Sequence, residues 1–307
     1  MSGRNEGMVA LVTGASQGGS GTGLAVRLAA EGCKVGISAR SVDGLEKTKG
    51  MVEAVGGEAL VLPCDLGDPD GGRDTLIART EEAFGPIDIL INEPVSHDLK
   101  RVEEFTLPEL RQHFELNLLS YWLLMSQAIP GMRERGRGWI LNFTSFSGEL
   151  PPGPPWAFKA LDGSSMYGAT KAAVNRMTIA AAAENHGIIA VNAITPQCAM
   201  GNALNSPHMA TLDIWEPVET MVEAAYALCC GDPSVLTGRI AYSLQLIVEL
   251  GLEVHDFAGK ELLPDWQIPT IIKKIKGTEK FHLENDNPGA FDYHRPSTPY
   301  PDALRNA

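Results

Sequence analysis

Basic residues are scarce in this chain of 307 residues: 25 Lys and Arg stand against 38 Asp and Glu, leaving a formal net charge of −13. Nucleic acids and anionic membrane surfaces are bound through an excess of cations, so neither is an expected partner. Cysteine is sparse too, with five residues, an odd number, and no CxxC or Cys/His spacing. A disulfide framework and a zinc site are therefore not expected, and reduced thiols suit a cytoplasmic protein. No apolar run approaches the roughly 18 residues a membrane helix needs, and the N-terminal stretch MSGRNEGMVALVTG lacks the apolar core of a signal peptide. Aromatics make up only 7% of the chain, but the hydrophobic fraction of 44% suffices for a full core.

What the chain does have is alternation. Seven short runs rich in β-branched residues (MVALVTG, KVGIS, ALVLPCD, IDILIN, WILNFTS, IIAVNAI and IAYSLQLIVEL) are separated by helical patterns at 22–31, 41–55, 70–84, 107–135, 166–186 and 216–230. Near-continuous apolar strands are covered on both faces, and intervening helices imply parallel crossovers. The expected fold is α/β: a Rossmann-type doubly wound parallel sheet of about seven strands in three α/β/α layers. Residues 1–250 read as one domain. From Gly251 the composition turns to prolines, scattered charges and one short helical candidate, TIIKKIKG, so 251–307 reads as a C-terminal extension.

Three local patterns carry chemistry. The first strand runs into VTGASQGGSGTGLAVRLAAEG, a glycine-dense turn opening a helix, where the backbone can approach a pyrophosphate that meets the positive end of the helix dipole. The second strand ends at Arg40 and Ser41 rather than at an acidic residue. A guanidinium there suits a 2′-phosphate, which favours NADP(H), with NAD(H) as the alternative. In SSMYGATKAAV, Tyr167 and Lys171 are four residues apart and share one helix face, an ammonium within reach of a phenol.

With these in order, the sequence resembles the short-chain dehydrogenase/reductase family over residues 8 to about 240. Its TGxxxGxG turn appears as TGASQGGSG, with one extra residue, so that the resemblance assigns the cofactor to Gly14, Ser16, Gly19 and Gly21, Gly18 being an alternative for the second glycine. Asp65 and Leu66 match the pair expected at the adenine. The family's NNAG reads Asn92-Glu93-Pro94-Val95; Asn92 survives and is assigned to the cofactor side, and Glu93 adds a carboxylate near the nucleotide. The catalytic tetrad is matched by Asn117 in FELNLLSYW, Ser145 in LNFTSFSG, and Tyr167 and Lys171 in YGATK. Pro196 matches a nicotinamide neighbour, although the glycine and threonine that follow in the family are missing.

The resemblance implies hydride transfer between NADP(H) and a ketone or secondary alcohol. Tyr167 is the implied acid/base, its pKa lowered by Lys171 and by the oxidised nicotinamide; Ser145 holds the reacting oxygen, Lys171 also binds the ribose, and Asn117 positions a water. Tyr167 and Lys171 thus belong to the cofactor set as well. A catalytically weak NADP(H)-binding sensor or scaffold is the alternative, motivated by the altered turn, NEPV and the missing PG. Ser145 and Tyr167 stand 22 positions apart, against roughly a dozen in most relatives, so the inserted loop with Trp156 and Phe158 is expected to wall an apolar pocket. The segment with Met200, Met209 and Trp215 is the expected lid. Helices 107–135 and 166–186 could each pair with a second copy, giving the family's usual homodimer or homotetramer.

Overall fold

The computed structural model describes residues 4–16, 18–149, 163–197, 199–200 and 215–264, with only the backbone of Ala199 and Trp215. Trp156, Phe158, Cys198, Met209 and the TIIKKIKG segment lie outside the described residues.

The elements follow in chain order as β1 (Val9–Thr13), α1 (Ser20–Ala30), β2 (Lys34–Ala39), α2 (Val42–Ala54), β3 (Glu58–Pro63), α3 (Leu76–Phe84), β4 (Ile89–Asn92), α4 (Leu107–Phe114), α5 (Ser120–Arg135), β5 (Gly138–Phe143), α6 (Ser165–Glu184) and β6 (Ile189–Thr195). A two-residue pair, β7 (Ala199–Met200) and β8 (Trp215–Glu216), precedes α7 (Val218–Leu228), β9 (Ile240–Tyr242) and α8 (Ser243–Leu250). The main sheet has seven strands in the order β3-β2-β1-β4-β5-β6-β9, and every neighbouring pair is parallel. The chain reverses direction across the sheet between β1 and β4. At such a switch point the loops leaving the carboxyl ends of two adjacent strands diverge and open a crevice.

Alternation along each strand explains why both faces are covered. Ala10 and Val12 of β1, Ile89 and Ile91 of β4, and Leu141 of β5 face one core with α1, α2, α7 and α8. Val9, Leu11, Leu90 and Ile140, one residue out of step, face the other core with α3, α5 and α6. Each helix therefore needs only one apolar stripe, and the strands read as continuous apolar runs.

Two expected elements differ. The run IAYSLQLIVEL is not one strand: β9 ends at Tyr242 and α8 takes over until Gly251, which terminates it in the left-handed region at φ 62°. A short apolar run does not distinguish a buried strand from a buried helix, and here the sheet edge offers β6 only three paired positions. The helix expected over 107–135 runs unbroken but widens to π geometry at Glu115–Leu119 between α4 and α5, and π segments of this kind recur at functional sites. The start of the C-terminal extension joins the domain: Val254 is fully buried, and Leu252, Phe257 and Leu263 pack on the α1/α7 core. Among the described residues no helix is long and apolar enough to cross a membrane.

Leu141 lies on β5, an interior strand of the sheet, with 0% exposure. Leu141→Ala is expected to lower unfolding free energy by roughly 2–5 kcal/mol, since the rigid sheet cannot collapse into the void. Urea denaturation checks this as a shift of the midpoint at constant slope.

Candidate active site

At the switch point lies a cavity of about 620 Å3. One wall is the turn after β1. Gly14 adopts φ 81°, donates its N–H to Ser38 O at 2.7 Å, and a Cβ there would come within 3.2 Å of Pro94 N. Gly18 also has positive φ, 70°, and donates to Thr22 Oγ1 at 3.1 Å. Gly19 caps α1. Gly21 sits in the first helical turn, where a Cβ would meet the Glu93 carboxyl at 2.1 Å. Gln17 lies outside the described residues, but the extra residue of the turn is accommodated with the second left-handed glycine at Gly18 and the cap at Gly19.

Gly14, Ser16 and Gly19 line the cavity, as do Arg40, Ser41, Asp65 and Leu66 across from them. Ser41 also accepts from Gly44 N at 3.1 Å as the N-cap of α2, so its hydroxyl hydrogen is what remains for a ligand. Asp65 Oδ1 accepts from Gly67 N at 2.9 Å. Asn92 does not line the cavity. It is fully buried and donates to Asn142 Oδ1 at 2.9 Å, while Asn142 donates to Thr178 Oγ1 at 3.0 Å, a chain tying β4 and β5 to α6. Its part is to brace the sheet under the crevice. Pro196 is half-buried beyond the cavity wall, and Met200 and Val218 close that end.

The four tetrad candidates converge beside this crevice. Ser145 follows β5, and Tyr167 shares a hydrogen bond with its hydroxyl. This contact depends on two close backbone approaches: a Cβ on Gly148 would lie 2.7 Å from Lys171 C, and one on Gly168 would lie 2.6 Å from Ser147 O. Small residues thus set the distance between the β5 turn and α6. Lys171, 1% exposed, runs under Tyr167 and donates from Nζ to Phe143 O at 2.7 Å. Its Nζ is 5.9 Å from the Tyr167 ring centroid and 5.2 Å from that of Tyr121. Asn117, on the π-turn, accepts from Ser96 N at 2.7 Å and donates to Ser96 O at 2.9 Å and to Thr170 Oγ1 at 3.2 Å. It fastens the loop after β4 to α6.

The electrostatics correct one expectation. Lys171 does not by itself depress the Tyr167 pKa: burial pushes the phenol up, with the Ser145 hydrogen bond opposing. Burial likewise pulls the Lys171 ammonium down to about 7, against the attraction of Glu93. Removing both groups from water costs more than a 5.9 Å separation returns. A depressed phenol pKa needs further positive charge in the crevice.

Three neighbours escaped the sequence reading. The His97 ring stands edge-on to Tyr167 with centroids 4.4 Å apart, and partial desolvation against that ring lowers its pKa. Tyr121 donates to Pro94 O at 3.0 Å. A Cβ on Gly44 would lie 2.2 Å from Ser16 O, so the phosphate-side turn rests on the start of α2. A glycine in the first turn of a helix is a readable sign of close approach; nothing in the sequence marks His97 or Tyr121.

Comparison with known proteins places this arrangement. The family model of the short chain dehydrogenases matches residues 8–207. The chain belongs to that family. Among its relatives, ketoacyl reductase HetN of Nostoc sp. is 34% identical over 166 residues, 54% of each chain, so that the match spans about half the length of that protein. Gluconate 5-dehydrogenase of Gluconobacter oxydans is 31% identical over 80% of this chain and 94% of that protein. The crystal structure of levodione reductase superposes with a TM-score of 0.66 at 26% identity, covering 77% of this chain and 96% of that one. Short-chain dehydrogenases bind NAD(P), and the crevice fits such a group: the left-handed Gly14, the start of α1 at Gly19 and Ser20, and the cavity-lining Arg40 and Asp65 supply close backbone, donors and charge.

In this short-chain dehydrogenase, Glu216 holds the backbone beyond Pro196. Fully buried, it accepts from Gln197 N at 3.2 Å and from Ser243 Oγ at 2.6 Å. Burial lifts its carboxyl to about 8, so the folded protein keeps a proton that the unfolded chain releases near pH 4.5. The associated stability is complete below that pH and lost as pH rises through about 8. Glu216→Gln is expected to melt increasingly above the wild type between about pH 5 and pH 8, by roughly 2–4 °C per kcal/mol recovered. A melting difference independent of pH across that range would contradict this.

Proposed function

We propose that the protein is an NADP(H)-dependent oxidoreductase that interconverts a ketone and a secondary alcohol, with Tyr167 as general acid/base. The observation carrying this reading is the convergence of Ser145, Tyr167 and the buried Lys171 at the carboxyl end of β5, beside the crevice. When bound, the nicotinamide supplies or accepts the hydride. Gly14, Ser16, Gly19, Gly21, Asp65 and Leu66 would hold the dinucleotide, Arg40 and Ser41 its 2′-phosphate, and Asn92 and Pro196 would support the walls around it.

Tyr167 gives its hydroxyl proton to the carbonyl oxygen during reduction and takes it back during oxidation. Ser145 hydrogen-bonds the same oxygen and stabilises the charge that develops there. Lys171 supplies the cation under the phenol and a donor for the ribose. Because burial raises the phenol pKa in the free protein, ionisation of Tyr167 depends on added positive charge beside it, which links proton transfer to the oxidised state of the site. Asn117 is committed to Ser96 and Thr170, so its support for a proton-relaying water rests on its remaining carbonyl lone pair.

Pro94, Val95, Leu116, Met200 and Val218 on the cavity wall support an apolar small-molecule substrate. Phe114, Leu119 and Trp122, exposed by 41%, 44% and 59% on the α4–α5 stretch, support a homodimer or homotetramer. Free thiols at Cys33, Cys64, Cys229 and Cys230 support a cytoplasmic location. The non-catalytic sensor is disfavoured, since a binding protein has no need of a buried lysine beneath a Ser/Tyr pair.

Tyr167→Phe is expected to reduce turnover of a ketone panel by at least about 100-fold while NADPH binding, followed by fluorescence titration, stays within a few-fold of wild type. Turnover near the wild-type rate would overturn the role of Tyr167. Arg40→Ala is expected to weaken NADPH binding by roughly tenfold or more, the worth of a charge-assisted hydrogen bond, and to leave NADH binding unchanged. Equal losses for both nucleotides would contradict the 2′-phosphate assignment.

A further inference from the structure

Glu93 is an ionisable group in the crevice that the proposed chemistry leaves without a task. It follows β4 and reaches beneath the first turn of α1. There Oε1 accepts a hydrogen bond from Ser20 Oγ at 2.6 Å, and the Gly21 N–H is directed at the same carboxyl. Oε2 is buried and has no hydrogen bond of normal geometry. Glu93 lines the cavity with Gly14, Gly19 and Ser20, and its Oε2 is enclosed. These are the donors and the helix end to which a pyrophosphate is drawn, because the first N–H groups of a helix have no partners of their own. A carboxylate and a pyrophosphate at this place compete for the same donors and repel one another in a poorly solvated setting.

We propose that Glu93 is a proton-linked positioning residue for the dinucleotide: the pyrophosphate is accepted when the Glu93 carboxyl carries a proton and is opposed when it is ionised. The inference rests on the NAD(P) reading of the crevice. Among the described residues the groups facing Glu93 are few. From α6 comes Lys171, which acts through space; from α5 comes the neutral Tyr121; from α1 come Ser20 and backbone; from β1 comes Thr13, whose hydroxyl receives the Glu93 N–H at 3.3 Å. None of these neutralises a carboxylate at hydrogen-bond range. Burial accordingly holds the Glu93 carboxyl up to about 7, so the change of state falls within the ordinary working range. Binding of a dinucleotide then takes up a proton above that pH, and affinity falls as pH rises, by at most about tenfold per pH unit for one proton.

Lys171 loses its own charge over the same interval, so a pH slope in the wild type is not enough, and a variant that keeps the shape of the side chain without its ionisation is required. The test is titration of NADPH and NADH from about pH 6 to about pH 9 at constant ionic strength, with wild type, Glu93→Gln and Glu93→Asn. Calorimetry at about pH 8 in two buffers of different ionisation enthalpy measures the protons taken up. Wild-type affinity is expected to fall toward tenfold per unit above about pH 7.5 with uptake near one proton. Glu93→Gln should bind up to roughly a hundredfold tighter than wild type at about pH 9, with a flattened profile and an uptake smaller by close to one. An unchanged slope and uptake in Glu93→Gln, or in Glu93→Asn should the first variant fail to fold, overturns the inference alone and leaves the NAD(P) reading standing. Wild-type protein that takes up no proton on binding overturns it equally, and wild-type protein that binds neither nucleotide at any pH overturns the NAD(P) reading together with it.

Discussion

A hydrogen bond from a buried ammonium to a strand-end carbonyl, Lys171 Nζ to Phe143 O at 2.7 Å, holds the centre of this molecule together. It fastens the middle of α6 to the end of β5 at the point where the sheet gives way to the crevice. A lysine with 1% exposure persists in such a place only if its charge has partners and if little water can compete for it. The carbonyl, the faces of Tyr121 and Tyr167, and the distant Glu93 carboxylate are those partners. The price is a weakened ammonium with a pKa near 7, and that softness couples the lysine to every other charge that enters the site.

Around this fastening the backbone is brought closer than most side chains permit. Gly148 and Gly168 let the turn after β5 lie against α6, and Gly21 lets the Glu93 carboxyl lie against α1. The two approaches serve different ends. The first fixes Ser145 beside Tyr167, so one ligand oxygen could meet both hydroxyls without either rearranging. The second loads the phosphate end of the crevice with a carboxyl of its own, held near the boundary between its two charge states. Glu216, beyond Pro196, is a second enclosed acid, and it ties Gln197 to Ser243. Acids enclosed at both ends of one crevice make its charge a property of the whole site, set by burial more than by pairing.

The strands, their order of appearance, the helix positions and the ordered residues of the turn and the tetrad were all legible, because period, apolar runs and glycine placement are local properties of the chain. Tyr167 and Lys171 lie together as their spacing implied, and Ser145 meets Tyr167 as the family resemblance implied, although 22 positions separate the two. Where local pattern is ambiguous the reading went astray: the last apolar run divides into β9 and α8, while the long helix is continuous and only its π segment around Asn117 went unread. Asn92, expected on the cofactor side, is fully buried and donates to Asn142 on the neighbouring strand, a pairing between strands that no local pattern shows.

By itself, then, the order of residues determined the doubly wound architecture, which follows from periodicity, and brought forward Ser145, Tyr167 and Lys171 as the candidate reacting groups through their match to the family pattern. Only the folded chain decided how strongly those groups hold their protons, that His97 stands edge-on to Tyr167, and that the Glu93 carboxyl lies under the first turn of α1. Proton affinity and proximity depend on desolvation and on distances between segments far apart in the chain, and neither quantity exists until the tertiary structure has formed.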